Sequence, residues 1–266
     1  MKQRFTTQRR SQLVQMVVNE GSISITDAAK RLDVSIETVR KDIIHLDAQG
    51  MIKKVRGGAM RIKELDIEHP VSEKHSVNID KKLAISKRAL DFIPDGASIV
   101  LDAGSTPMIL AELLAKKSGY TIFTNSAPAL HALLESDNDI FVLGGHLRKS
   151  SGAMLGAWTN AMLENIHPDI AIIGTDACTP TGPMVTPYEE VTVKRNIFSV
   201  SQKTILLADS TKFEKTAAFL VCDWDDIDVL VTDSNVSQDV LEEYQNRVMI
   251  TVADRDLTIM YMRKTK

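Results

Sequence analysis

From residue 97 onward the chain alternates two kinds of segment. Short apolar runs occupy residues 98–101, 121–123, 140–143, 170–173, 204–207 and 229–231. Between several of them lie stretches of helical length and pattern, such as 107–117, 127–135 and 157–165. A strand followed by a helix, repeated, specifies a parallel sheet wrapped by helices. In such open sheets ligands sit beyond the carboxyl ends of the strands. The loops after the strands are therefore the place to look for chemistry.

Those loops are alike. The first is Asp102-Ala103-Gly104-Ser105-Thr106, with Pro107 at a helix start, and the second is Thr124-Asn125-Ser126. The third runs from Gly144-Gly145 through Arg148 to Gly152, the fourth is Gly174-Thr175-Asp176, and a later one is Ala208-Asp209-Ser210-Thr211-Lys212. Glycine lets the backbone approach a ligand, hydroxyls donate, and amides at helix starts favour an anion. With Arg148 and Lys212 added, the set reads as a pocket for a small phosphorylated polyol. Asp102, Asn125 and Asp209 are placed to fix sugar hydroxyls.

The front of the chain differs. The net charge of −3 hides an asymmetry: residues 1–63 hold 13 Lys+Arg against 6 Asp+Glu, and the rest holds 19 against 29. A basic head on an acidic body assigns a polyanion to the head. At about 150 residues per domain, 266 residues make roughly two domains. In the head, residues 7–20 read as a first helix with Leu13, Met16 and Val17 on one side, stopped by Gly21. A second helix spans about 26–32, capped by Ser24, with Asp27 reaching back to the free amides. Asp33-Val34 makes a left-handed turn. Ser35 caps a third helix whose apolar face is Val39, Ile43 and Leu46 and whose opposite face is Glu37, Arg40, Lys41 and Ile44. Strands at 51–55 and 59–63, joined through Arg56-Gly57-Gly58, form a basic wing. This is a winged helix-turn-helix, with the helix-turn-helix at about 22–41, placing the third helix in the major groove of double-stranded DNA. Its candidate DNA contacts are Ser35, Glu37, Thr38, Arg40 and Lys41 on the helix and Lys53, Lys54 and Arg56 on the wing. The expected organisation is a head at 1–63, a linker at 64–80 containing Pro70, and a body at 81–266 that opens on a helix at 81–92.

Other classes fall away. No apolar run approaches the ~20 residues that cross a membrane, and the charged N-terminus lacks the apolar stretch of a signal peptide. Two cysteines, Cys178 and Cys222, make neither a disulfide framework nor a zinc site and read as small core residues. The six histidines are scattered, so no metal site and no cofactor is expected. Trp158 and Trp224 read as packing residues. The default compartment is the cytoplasm.

The stretch ISITDAAKRLDVSIETVRKDIIHLDAQGMIKKVRGGAM resembles the DNA-binding domain of DeoR-family bacterial transcription regulators. The strings LDAGST, FTNS, VLGGHLRKSSGAMLG, DIAIIGTD, EEVTVKR and LLADSTKF resemble the family's C-terminal sensor domain, in order and spacing. The resemblance implies an α/β fold similar to ribose-5-phosphate isomerase and a phosphorylated sugar as effector. It implies that Gly104, Ser105, Thr106 and Lys212 contact phosphate, while Asp102, Thr124, Asn125, Gly145, Arg148, Glu189, Glu190 and Lys194 line the rest. One segment departs from the family pattern: in GTDACTPTGPMVTPYEEV, Ala177 replaces a common Gly and Pro180, Pro183 and Pro187 stiffen what reads as a loop.

The leading reading is a regulator, taken as a repressor, of a carbohydrate operon whose DNA binding responds to a phosphorylated sugar. Two heads reading a repeated site imply a homodimer or homotetramer. The alternative is a sugar-phosphate isomerase or deaminase with a DNA-binding head, using Glu189 or Glu190 as base. The isomerases' Asp-Gly-Ala-Asp run is replaced here by Asp176-Ala-Cys-Thr. A third reading is an architectural or RNA-binding protein with no small-molecule dependence.

Overall fold

The computed structural model describes residues 2–48, 51–55, 57–60, 70–253 and 257–259. The head comprises α1 (Lys2–Glu20), β1 (Ser22–Ser24), α2 (Ile25–Arg31), α3 (Ile36–Ala48), β2 (Lys53–Val55) and β3 (Gly58–Met60). Leu13, Val14 and Val17 of α1 meet Ala28 and Ala29 of α2 and Val39, Ile43 and Leu46 of α3 in one core. Each fully buried Val, Leu or Ile contributes about 1.5–3 kcal/mol. The expected caps form: Ser24 Oγ accepts from the Asp27 N–H at 3.0 Å, and Ser35 Oγ from the Thr38 N–H at 3.1 Å. Asp33 holds the left-handed turn at φ 51°. Asp27's carboxylate does not reach back to the amides; it lies 3.5 Å from Arg31.

The wing has a third strand that the sequence pattern does not show. β1 pairs antiparallel with β3, and β3 with β2. The two wing glycines serve different ends. Gly57 takes the positive φ of the turn, at 85°. At Gly58 a Cβ would lie 2.2 Å from the Ile23 carbonyl oxygen, so β1 and β3 can approach only without a side chain there.

The expected linker is only partly linker. Residues 64–69 lie outside the described residues, but α4 (Val71–Ser76) follows Pro70 directly and α5 (Ile79–Leu90) begins within the stretch. The body then runs β4 (Ser98–Leu101), α6 (Ser105–Leu114), β5 (Thr121–Thr124), α7 (Ala127–Leu133), β6 (Asp139–Val142), β7 (His146–Arg148), β8 (Ala153–Leu155), α8 (Ala157–Leu163) and β9 (Ile170–Gly174). It continues through β10 (Ala177–Thr179), β11 (Gly182–Val185), α9 (Tyr188–Val200), β12 (Lys203–Leu207), β13 (Phe219–Leu220), β14 (Val229–Thr232), α10 (Gln238–Tyr244), β15 (Met249–Val252) and β16 (Leu257–Ile259).

All six expected strands lie in one sheet of order β16-β15-β14-β12-β9-β4-β5-β6, in which only the β15–β16 pair is antiparallel. Side chains alternate between its faces. Ile99, Leu101, Ile172 and Leu207 pack under α5, α6 and α7. Val100, Ala171, Ile173 and Leu206 pack under α8, α9 and α10. From β4 the chain winds outward through β5 to β6, then returns to place β9 on β4's other side. The direction of winding therefore reverses between β4 and β9, which opens a crevice between their carboxyl ends.

The proline-rich segment after β9 is not a loop. β10, β11 and β13 form a separate three-stranded antiparallel sheet, with Pro183 in its central strand. Cys178, Cys222 and Trp224 are core residues as expected. Trp158 is not a packing residue: it stands 77% exposed on α8, one helical turn from the exposed Met162. Among the described residues, no helix is long and apolar enough to cross a membrane.

Candidate functional site

The crevice between β4 and β9 carries a polar cleft. Gly104, Ser105 and Thr106 line it from the start of α6, and Gly174, Thr175 and Asp176 line it from the end of β9. Pro107 sits between the two loops, and a Cβ on either Gly104 or Gly174 would press its ring at 3.3 Å. Glycine at both places lets the loops close on the helix start. The α6 N-terminus, with its free amides, faces the cleft and favours an anion.

Cations surround that end. Lys212 and Lys74 line the cleft, and Lys74 Nζ stands 3.0 Å from Asp176 Oδ1. Buried Lys82 donates to the Lys74 carbonyl oxygen. Burial lowers the Lys82 ammonium to about 8, and its neighbours Lys212, Lys74 and Lys215 push the same way. Burial also lowers Lys212, against the pull of Asp176 and Asp209. Burial opposes ionisation of Asp176, yet Lys74 and Lys212 hold its carboxyl down to about 2. Lysines that depress one another's charge form a seat that an anion would relax.

The other end is a buried ionic chain. Lys194 donates to Asp102 and, at 3.4 Å, to the Gly174 carbonyl oxygen. Glu190 Oε2 lies 3.9 Å from Lys194 Nζ, and Glu190 Oε1 lies 4.0 Å from Arg148 Nη1. Burial works against the Lys194 charge, but Asp102 and Glu190 raise its hold on the proton. Burial pushes the Asp102 carboxyl up, with Lys194 acting against it. Burial pushes Glu190 up to about 7, Lys194 opposing and the Asp102 and Asp176 carboxylates adding to the rise.

Six of the thirteen residues expected at this site line the cleft: Gly104, Ser105, Thr106, Glu190, Lys194 and Lys212. Asp102 stands behind Lys194. Arg148 approaches Glu190 while donating to Ser150 and Ser151. Four more do scaffold work and are not on the cleft wall. Thr124 Oγ1 donates to the Leu101 carbonyl at 2.8 Å, and Asn125 Oδ1 accepts from the Ala103 N–H at 3.1 Å, so both brace the loop after β4. Gly145 sits where a Cβ would lie 2.2 Å from Thr159 Oγ1. Asp209 caps the turn that carries Lys212, accepting from the Thr211 N–H at 3.1 Å. Glu189 is exposed, so the paired glutamates divide. Val71 and Lys74 join the wall without having been expected, and Ser150 and Ser151 join it from the third of the expected loops. Lys82 had a readable signal: it shares the buried face of α5 with Ile85, Ser86 and Ala89, where a lysine is out of place.

The head presents a second surface. Glu37, Arg40, Lys41 and Ile44 are exposed on the outer face of α3, and Lys53 and Lys54 are exposed on β2. Arg40 Nη1 is 3.5 Å from Glu37 Oε2. Ser35 and Thr38 share a hydroxyl contact of 2.8 Å at the helix start. Arg56 lies outside the described residues. The opposite side of α3 is clamped through buried Asp42, which accepts from Arg9 Nε at 2.6 Å and Arg10 Nε at 2.7 Å. Asp42→Ala removes both charged bonds, and thermal unfolding is expected to show a loss of about 2 kcal/mol.

Two family models match the chain. The DeoR-like helix-turn-helix domain covers residues 9–65 and the DeoR C terminal sensor domain covers residues 77–234. The chain belongs to the DeoR family of transcription regulators. The regulator is 30% identical over 250 residues to the lactose phosphotransferase system repressor of Lactococcus lactis, covering 92% of this chain and 98% of that protein. It is 30% identical over 226 residues to the glycerol-3-phosphate regulon repressor of Haemophilus influenzae, covering 84% and 88%. Among solved structures it is similar to ribose 5-phosphate isomerase A of Methanocaldococcus jannaschii, at 19% identity and a TM-score of 0.39 over 51% of this chain and 55% of that one.

Proposed function

We propose that this regulator represses a carbohydrate operon in the cytoplasm and that a phosphorylated sugar in the cleft between β4 and β9 sets its hold on DNA. The observation that carries this reading is the convergence of Lys74 and Lys212 on the N-terminus of α6. The phosphate sits on the amides of Gly104, Ser105 and Thr106, beside those lysines. Glu190 and Lys194, backed by Asp102 and Arg148, receive the hydroxyls. The named specialities of the lactose and glycerol-3-phosphate relatives support the substrate class. A homodimer or homotetramer presents two copies of α3 to a repeated operator.

Thermal unfolding across a panel of sugar phosphates tests the sensor. A true effector at 100 times its Kd adds about 2.7 kcal/mol and shifts operator affinity. If no phosphorylated sugar raises the midpoint, the sensor reading fails. On the head, Arg40→Ala is expected to weaken operator binding by about 1–3 kcal/mol and to relax sequence preference. Equal losses on operator and random DNA would make Arg40 a phosphate contact.

Glu190 favours a second reading. A buried carboxyl near neutrality in a sugar-phosphate cleft suits a general base, so the body would isomerise its ligand. Turnover of an aldose phosphate at about 1 s⁻¹ by the purified protein would establish that reading.

A further inference from the structure

The head core does not end at the head. Leu13, Val14 and Leu46 belong to the same apolar cluster as Val185, Val191 and Phe219 of the body. Met51, just after α3, packs against Ala177, Met184 and Ala217 as well. The surface that receives the head is the small sheet of β10, β11 and β13.

That sheet is bound tightly to the cleft. Val185 of β11 lies on the cleft wall. Thr175 Oγ1 donates to the Met184 carbonyl at 2.7 Å, and the Asp176 N–H donates to the same oxygen at 3.0 Å. Asp176 in turn accepts from the Thr186 N–H at 2.9 Å. β13 is tied to the cleft's other side through α9, which carries Glu190 and Lys194. Arg195 of that helix donates to the carbonyls of Val221 and Leu220, at 2.7 and 3.0 Å. The loop after β9 and helix α9, which wall two sides of the cleft, thus bear on the sheet that touches the head.

The head's seat is less tight. A gap of about 130 Å³ remains between Arg10, Val14, Leu46 and Met51 on one side and Phe219 and Leu220 on the other. Close-packed elements pass on a displacement, whereas a loosely filled interface can settle in more than one arrangement. Leu46 is on α3 itself, so a change of seat re-aims Arg40 and Lys41.

We infer that the cleft and the recognition helix are coupled through the β10-β11-β13 sheet, with β11 as the cleft wall and Phe219 of β13 as the contact on the head. The inference rests on the cleft being an anion site. Coupling is reciprocal, so disturbing the interface must change affinity in the cleft.

The test uses the full chain, inorganic phosphate as probe, and Met51→Glu, which places a charge in the interface without touching the cleft. Met51→Leu controls for folding of the head. Phosphate is expected to protect the amides of Ser105 and Thr106 from hydrogen exchange and to alter exchange at 218–220. Met51→Glu should speed exchange at 218–220 and shift the phosphate Kd by about threefold or more, with Met51→Leu close to the original protein. Protection at Ser105 and Thr106 together with an unchanged Kd in Met51→Glu would overturn the coupling and leave the anion site standing. Unchanged exchange at 218–220 in Met51→Glu would overturn the docking. Absence of protection at Ser105 and Thr106 would remove the anion site, and the coupling with it.

Discussion

Lys194→Met lowers the stability of the body by about 3–5 kcal/mol, because it strands a buried carboxylate. Asp102 and Lys194 are 2% and 3% exposed, so water cannot take the place of the lost partner. In a chain of this length the midpoint of thermal unfolding falls by roughly 10 °C. Asp102→Asn with Lys194→Met removes both charges and recovers most of the loss, since an uncharged pair of similar volume avoids the desolvation of either ion. Sugar-phosphate affinity stays low in both variants, because neither restores an ammonium to the cleft. A single variant that melts within about 1 °C of the original protein would show that Asp102 is not held as a carboxylate by Lys194.

Glu190→Gln has the opposite sign and shows it through pH. The folded carboxyl titrates at about 7 against an ordinary 4.5, so the native state binds more protons than the unfolded chain between those values. Stability therefore falls as pH rises through that window, and by about pH 8 the loss approaches 3 kcal/mol. Glutamine keeps the neutral shape and has nothing to ionise. The variant should exceed the original protein in denaturant midpoint at about pH 8 and match it near pH 4. Parallel pH curves for the two proteins would sink the claim. Asp176 contributes the other limb: held down to about 2, it adds stability above its ordinary 3.8 that is lost as pH falls.

What could be read in advance follows from how each feature is encoded. Uninterrupted apolar runs such as Ile170–Ile173 are set by burial alone, and the six strands stand where periodicity puts them. The head was legible because caps, a left-handed Asp33 and an apolar stripe on α3 all agree. β10 and β11 were not, because three prolines mask strands of three and four residues, which form by pairing with each other and with β13. Loop membership marks which residues are near a ligand but not which way they turn. Asn125 and Thr124 point back into the scaffold, while Lys74 arrives from an element that precedes every sensor motif. Asp42 was visible only as part of a family pattern, since its meaning lies in two arginines 32 and 33 residues away.

The short helix α4 has a kinetic consequence. Val71 donates to the Ser150 carbonyl at 2.8 Å and Lys74 holds Asp176, so α4 lies across the cleft as a latch. A ligand that has to displace this latch to reach the start of α6 enters only as fast as the latch lets go. In stopped-flow mixing the observed association rate should level off as ligand concentration rises, at the opening rate of α4. Lys74→Ala, which removes the latch's ionic half, should raise that plateau even as it weakens the final grip on the anion.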